Sequence, residues 1–233
     1  TETQKKLWDI GIFVGSFIPA LLFGVAFGNI FMGLKFDDSG YYGTLFSLLN
    51  PYGLLVGLLF LFTFLVHGGL WVSLRVPEAL AEKAVLKAKK FWYPQAISAL
   101  LFLIFTALFT NLYDNFLKLP VWFTVPALAV VCLFATGFFI FKNKRGKAFI
   151  SSALFIISLV FSGVIGLYPN LIPSSIDPKY SLTIFNSSSS PYTLKIMTIV
   201  VIIFVPIVLF YQAWTYKTFM YKITEKELKE EGY

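Results

Sequence analysis

The run PYGLLVGLLFLFTFLVHGGLWVSL, residues 51–74, decides the fold. It contains no Asp, Glu, Lys or Arg, and it is longer than the roughly 20 apolar residues that a helix needs to cross the hydrocarbon layer of a bilayer. Backbone polar groups in lipid must be paired within their own segment. The run is therefore predicted to form a transmembrane helix.

Five further charge-free runs flank it, at 10–34, 91–113, 119–141, 148–168 and 196–216. They lack the strict alternation of a membrane β-barrel. Hydrophobic residues make up 58% of the 233-residue chain and charged residues 13%, which is too apolar for the single core of a soluble domain. The sequence predicts an all-α fold, one polytopic domain with six membrane-spanning helices.

The basic residues are divided unevenly among the segments that join the runs. Of 19 Lys and Arg residues, 15 precede the first run or follow the second, fourth and sixth, and 4 lie in the other connections. Positive residues favour the cytoplasm, so both ends of the chain are predicted to be cytoplasmic, including a tail at 217–233. Strong helix formers predict a cytoplasmic surface helix at 77–90.

The same distribution argues against several other classes of protein. The net charge of +7 is spread over short connections rather than a basic face with interleaved aromatics, so nucleic-acid binding is not predicted. Cys132 is the single cysteine, which excludes an intramolecular disulfide and, with one histidine, a structural zinc site. The first run is too long for the core of a signal peptide and is interpreted as a mature helix.

His67 is the only histidine, and two hypotheses apply to it. It could be a haem ligand or proton carrier, or it could hydrogen-bond a neighbouring helix. A haem with two protein ligands would also need one of Met32, Met197 or Met220. Met32 lies at the opposite end of its span, and Gly68 and Gly69 favour close helix packing, so the packing hypothesis is preferred.

Asp9 follows Trp8 at the predicted cytoplasmic mouth of the first run. A carboxylate at membrane depth is a candidate for a proton pathway. In the headgroup region the same carboxylate would be solvated and would interact favourably with the helix N-terminus. Both interpretations stay open.

Glycines spaced four residues apart predict tight helix packing, within the chain or with a partner. The pairs are Gly11 with Gly15, Gly24 with Gly28, and Gly53 with Gly57. The further candidates for packing or partner contact are Trp8, Asn29, His67 and Gly68. Asn111 and Gln212 are expected to cap helices or bond between them, and Arg75 and Glu78 to form a cytoplasmic turn that contacts a partner or solvent.

No nucleotide-binding loop, metal cluster or Ser-His-Asp set can be assembled from the sequence. No catalytic residue is predicted, and every charged residue lies outside the runs. A secondary transporter with broken helices around a polar midplane site, and a haem-binding membrane anchor, remain the alternatives to a packing subunit.

Four segments together resemble subunit II of cytochrome bd-type quinol oxidases. They are WDIGIFVGSF (8–17) with GVAFGN (24–29), LNPYGL (49–54) with HGG (67–69), SLTIF (181–185) with SSSPYTL (188–194), and MT (197–198) with VPIV (205–208) and YQAW (211–214). Where the family has a Lys/Arg-Thr-Glu-Gly type turn, this chain keeps only Arg75 and Glu78. About three N-terminal helices of the family have no counterpart, so a truncated or processed chain is expected.

The resemblance implies a haem-free, non-catalytic subunit of a respiratory quinol oxidase in a bacterial or archaeal cytoplasmic membrane. Its partner, subunit I, would carry haem b, haem d and the quinol site, and the complex would reduce oxygen to water. Subunit II would shape proton or oxygen access and, in some members, hold a structural quinone. Lipids and the quinone pool would be the other partners. Asp9 matches a family position, and a proton role for it is a hypothesis.

Overall fold

The computed structural model describes residues 2–218 and 220–224. Over these residues the chain forms seven α-helices and two small β-ribbons, and six of the helices are long and apolar enough to cross a membrane. The predicted all-α, six-span architecture is confirmed. Most of the predicted tail, residues 219 and 225–233, lies outside the described residues.

The helices are, in chain order, α1 (Glu2–Met32), α2 (Pro51–Ser73), α3 (Glu78–Phe109), α4 (Asp114–Lys118), α5 (Thr124–Phe141), α6 (Arg145–Leu167) and α7 (Pro191–Thr218). Two antiparallel ribbons join β1 (Phe36–Asp37) to β2 (Gly40–Tyr41) and β3 (Asn170–Ile172) to β4 (Leu182–Thr183). Single 3₁₀ turns lie at Phe46–Leu48, Pro120–Phe123 and Pro178–Tyr180.

Helix α3 differs from the sequence prediction, because it joins the proposed surface helix 77–90 to the run 91–113 without a break. Residues 78–90 are strong helix formers without Gly or Pro, so nothing ends the helix where the lysines end. The helix ends at Phe109, since Thr110 is extended at φ −137° and ψ 161°. The hydroxyl of Thr110 donates to the carbonyl of Thr106 at 2.7 Å.

Helices α2, α3, α5 and α6 form the packed part of the molecule, and α1 lies against α2. The main core joins residues from four of these helices, namely Val56, Leu59, Phe102, Leu133 and Phe155. By contrast, none of the residues of α7 is buried. The bundle therefore presents α7 and the first half of α1 as its most exposed apolar surfaces.

The two ends of the bundle differ in composition. One end, called the basic end below, carries the α2–α3 turn, the α5–α6 turn and the last residues of α7, with Arg75, Glu78, Arg145 and Met220. The other, the loop end, carries α4 and both ribbons. There Leu34 pairs with the backbone of the segment before β4, donating to the carbonyl of Pro173 at 2.9 Å.

Candidate functional site

The α1–α2 interface is built on glycine. A Cβ added to Gly24 would lie 2.6 Å from the carbonyl oxygen of Val56, and one added to Gly57 would lie 2.9 Å from that of Leu21. Gly28 faces the Cα of Gly53 in the same way, at 3.0 Å. Any side chain at these positions would push the helices apart, so the two backbones touch because all four residues are glycine.

The first glycine pair lies on a different, open surface. A Cβ on Gly11 or Gly15 would meet nothing within 4 Å. Trp8 is 73% exposed and Asp9 is exposed on the same half of α1. The predicted contact residues Trp8, Gly11 and Gly15 and the proton-pathway candidate Asp9 are thus left uncovered by the described part of the chain.

Asn29 joins α1 to the start of α2. Its Nδ2 donates to the carbonyls of Val25 at 2.8 Å and Leu48 at 2.7 Å, and its Oδ1 accepts from Asn50 Nδ2 at 2.8 Å. Asn50 Oδ1 in turn accepts from the backbone N–H of Gly53 at 2.7 Å, which caps α2. The buried amide of Asn29 therefore has its polar atoms paired.

His67 packs against α6. Its Nδ1 lies 3.1 Å from Ser152 Oγ, and its ring stacks on Phe149 with a centroid separation of 4.6 Å. Gly69 lies near Ala88, whereas Gly68 is open. One nitrogen and one ring face of the histidine are thus occupied by helix contacts. These are the contacts that the packing hypothesis expects, and the described residues contain no group of three or more His, Cys, Asp or Glu side chains that could hold a metal ion.

Two buried hydrogen-bonded pairs were not predicted from the sequence. Tyr52 OH lies 2.8 Å from Thr106 Oγ1, and Gln95 Nε2 donates to Thr63 Oγ1 at 3.3 Å. Gln95 is 1% exposed, and its Oε1 has no hydrogen-bond partner among the described residues. The sequence signal that could have indicated them is the presence of polar side chains inside apolar runs. Their pairing across helices depends on the packing, which the sequence does not give.

Arg75 connects the turn after α2 to the end of α7. Its Nη1 donates to the carbonyl of Met220 at 2.6 Å, and its guanidinium carbon lies 4.4 Å from the ring centroid of Trp71. The backbone N–H of Ile223 donates to the carbonyl of Arg75 at 2.9 Å. Gln212 lies beside Arg75 in the wall of a cleft of about 320 Å³.

Glu78 is bound to a second arginine at the basic end. Arg145 Nη1 donates to Glu78 Oε2 at 3.1 Å, and Nη2 donates to Oε1, so the pair is bidentate. The Glu78 side chain is 64% exposed. An exposed ion pair contributes little to folding, so its main effect is to hold the starts of α3 and α6 together.

A small apolar cavity lies between α2, α3, α5 and α6, with a volume of about 110 Å³. Its wall includes Leu59, Phe102 and Phe155, with Tyr113 toward the loop end. Tyr113 OH donates to the carbonyl of Leu103 at 3.0 Å, and burial raises the pKa of this phenol. Asn111 is exposed nearby, on the wall of a polar cleft at the loop end.

The six long apolar helices and the hydrogen bonds between them define a polytopic helical membrane protein. Residues 1–219 match the family model of cytochrome bd terminal oxidase subunit II. The chain belongs to this family, as the resemblance of its motifs implied.

Known relatives agree with the family match. The chain is 32% identical over 245 residues to the probable cytochrome oxidase subunit 2 of Haemophilus influenzae, an alignment that covers 92% of this chain and 65% of that protein. It is 30% identical over 268 residues to the cytochrome bd-I ubiquinol oxidase subunit 2 of Escherichia coli K12, and that alignment covers 98% of this chain and 69% of the relative. It is also 30% identical to the cytochrome bd ubiquinol oxidase subunit 2 of Bacillus subtilis, and that alignment covers 95% of this chain and 65% of the relative. The chain spans about two thirds of the length of these relatives.

The transporter alternative required discontinuous helices around a polar midplane site. In the structure α1, α3 and α7 instead continue through Pro19, Pro94 and Pro206. Together with the family match, this favours an oxidase subunit over a transporter.

Proposed function

We propose that the chain is the haem-free subunit of a cytochrome bd-type quinol:oxygen oxidoreductase, inactive alone and packed against a haem-bearing subunit I. The observation that carries the proposal is the family match over residues 1–219 in a bundle whose single histidine packs between helices. The relatives named as ubiquinol oxidase subunits indicate the substrate of the complex. Haem b and haem d are then assigned to the partner.

The exposed half of α1 supplies one surface for assembly. Gly11 and Gly15 form a groove without side chains, bordered by Trp8. Small residues four apart allow a second helix to approach closely. Asp9 is exposed in the first third of α1, and a proton-pathway role for it beside a bound neighbour is part of the proposal.

The apolar cavity supports a role in oxygen or quinone access. It is lined almost entirely by apolar side chains, and dry apolar cavities of this kind bind small apolar molecules. At about 110 Å³ it accommodates oxygen or part of one ring, so a bound quinone would need to extend out of it, past the exposed Leu100 and Phe134.

The test is purification of the tagged chain from membranes with and without its partner. We expect the chain to co-purify with a subunit that carries haem, and to show no haem absorption when it is isolated alone. Protease protection of tags at the two ends would test the proposed cytoplasmic location of both. A Soret band from the isolated chain would contradict the proposal.

A matched pair of variants tests the α1 surface. Gly15→Leu fills the groove on α1, whereas Gly146→Leu adds the same side chain at an equally open glycine in the first turn of α6. We expect Gly15→Leu alone to reduce the yield of the complex. Equal yields from both variants would assign the assembly surface elsewhere.

A further inference from the structure

A cleft at the basic end lies between the end of α2 and the end of α7. It is lined by Trp71, Arg75, Gln212, Thr215 and Tyr216 and has a volume of about 320 Å³. The rings of Trp71 and Tyr216 meet edge to face, with centroids 5.9 Å apart. The cleft thus combines one guanidinium, an amide, two hydroxyls and an indole, all at the end of two apolar helices.

The guanidinium of Arg75 is incompletely used. Nη1 donates to the carbonyl of Met220, and the face of the group lies over Trp71, but Nε is buried and has no hydrogen-bond partner in residues 2–218 and 220–224. Within those residues no carboxylate forms an ion pair with Arg75. The nearby Glu78 pairs with Arg145 instead. A guanidinium that lines a cleft and has no carboxylate partner among these residues is suited to donate to an anionic acceptor.

We propose that this cleft binds the phosphate group of an anionic membrane lipid. A guanidinium presents parallel N–H donors that match the oxygens of a phosphate, and such charge-assisted bonds are among the strongest in proteins. Thr215, Gln212 and Tyr216 supply further donors around the same space. The phosphate would neutralise the charge of Arg75 from the side of the guanidinium that lines the cleft.

The location of the cleft favours a lipid over free phosphate as the source of the group. Trp and Tyr at the end of a span mark the membrane–water interface, which is the depth of lipid headgroups. Basic pockets between transmembrane helices on the cytoplasmic side are suited to anionic headgroups. From the cleft, α7 continues as an exposed apolar helix along which acyl chains can lie.

The proposal is tested by native mass spectrometry of the full chain, purified with any partner that accompanies it. Binding of phosphatidylglycerol, phosphatidylcholine and inorganic phosphate is titrated separately. We expect phosphatidylglycerol to bind more tightly than phosphatidylcholine, and Arg75→Gln to weaken phosphatidylglycerol binding by roughly tenfold. Arg145→Gln is the matched control, because it also removes one guanidinium from the basic end, and it should leave the affinity unchanged.

Two further variants keep the test decisive if Arg75→Gln does not fold. Arg75→Lys retains the charge without the fork of donors, and Gln212→Leu retains Arg75, so each should bind phosphatidylglycerol with reduced affinity. Equal affinity in the wild type, Arg75→Lys and Gln212→Leu would overturn the proposal. It would also be overturned if inorganic phosphate bound with a dependence on Arg75 while phosphatidylglycerol did not, since the ligand would then be a free anion.

Discussion

Asn29 and Asn50, 21 residues apart in the chain, share a hydrogen bond of 2.8 Å from Asn50 Nδ2 to Asn29 Oδ1. Asn50 also caps α2, because its Oδ1 accepts from the N–H of Gly53, so one side chain both caps α2 and contacts α1. The position at which α1 meets α2 is therefore fixed by the same residue that starts α2.

Replacing Asn50 should consequently affect both the cap and the helix contact. We expect Asn50→Ala to lower the free energy of unfolding by roughly 2 kcal/mol, since it removes the cap and leaves the buried Asn29 Oδ1 unpaired. Asn50→Asp keeps the capping oxygen but cannot donate to Asn29, so its loss should be smaller. Unfolding titrations with SDS in mixed micelles measure both, and equal losses would show that only the Asn29 bond matters.

The glycine interface of α1 and α2 should tolerate no added methyl group. In Gly24→Ala the new Cβ would meet the carbonyl of Val56, and in Gly57→Ala that of Leu21, both closer than van der Waals contact. Separating the helices to make room should lower the free energy of unfolding by about 1–3 kcal/mol in each variant.

Gly11→Ala provides the control for this prediction, because it makes the same change where nothing lies within 4 Å. In the isolated chain it should leave stability unchanged or slightly raised, since alanine favours helix more than glycine does. A loss in Gly11→Ala as large as that in Gly24→Ala would contradict the prediction, because helix propensity acts in the opposite direction and no contact within the described residues would explain the loss.

The sequence predicted the spans well because lipid imposes a simple requirement. Each crossing needs a long charge-free run, and these runs are visible without any knowledge of packing. The start of α2 at Pro51 also matches the first residue of its predicted run. The continuity of α3 was not predicted. The lysines between residues 87 and 90 indicate where the bilayer surface lies, but they do not interrupt the backbone, so the helix continues past them.

The candidate site could be predicted only in part. Glycine spacing marks surfaces suited to close approach, but it does not say which pair meets which. Gly24 faces α2, whereas Gly15 faces outward. The bonds of Asn29 and Arg75 depend on segments distant in sequence, Leu48 and Met220, whose positions are set by the folded loops.

The contacts of His67 lead to a spectroscopic prediction. His67→Phe keeps a ring to stack on Phe149 but removes the hydrogen bond with Ser152. We expect unchanged haem absorption in the assembled complex and a loss of about 0.6 kcal/mol in the free energy of unfolding, typical of an interhelical bond in a membrane protein. In a Ser152→Ala background the loss should disappear. Disappearance of a haem band in His67→Phe would instead identify the histidine as a ligand.

Gln95 should be replaceable without loss, unlike most buried polar residues. Its Oε1 is unpaired and its bond to Thr63 is long at 3.3 Å, while Thr63 also donates to the carbonyl of Leu59 at 2.7 Å. Gln95→Met removes the unpaired atom at nearly constant volume and leaves Thr63 paired. The free energy of unfolding should therefore stay the same or rise by about 1 kcal/mol.

The control for Gln95→Met is a substitution in the pair Tyr52–Thr106, whose two hydroxyls hydrogen-bond to each other. Thr106→Val breaks the 2.8 Å bond to the buried Tyr52 and leaves that hydroxyl unpaired, so it should lower the free energy of unfolding by about 1–3 kcal/mol. SDS titrations of the two variants should move in opposite directions or differ clearly in size. A loss in Gln95→Met equal to that in Thr106→Val would mean that Oε1 has a partner in the membrane, such as an ordered water molecule, because only a satisfied acceptor is costly to remove.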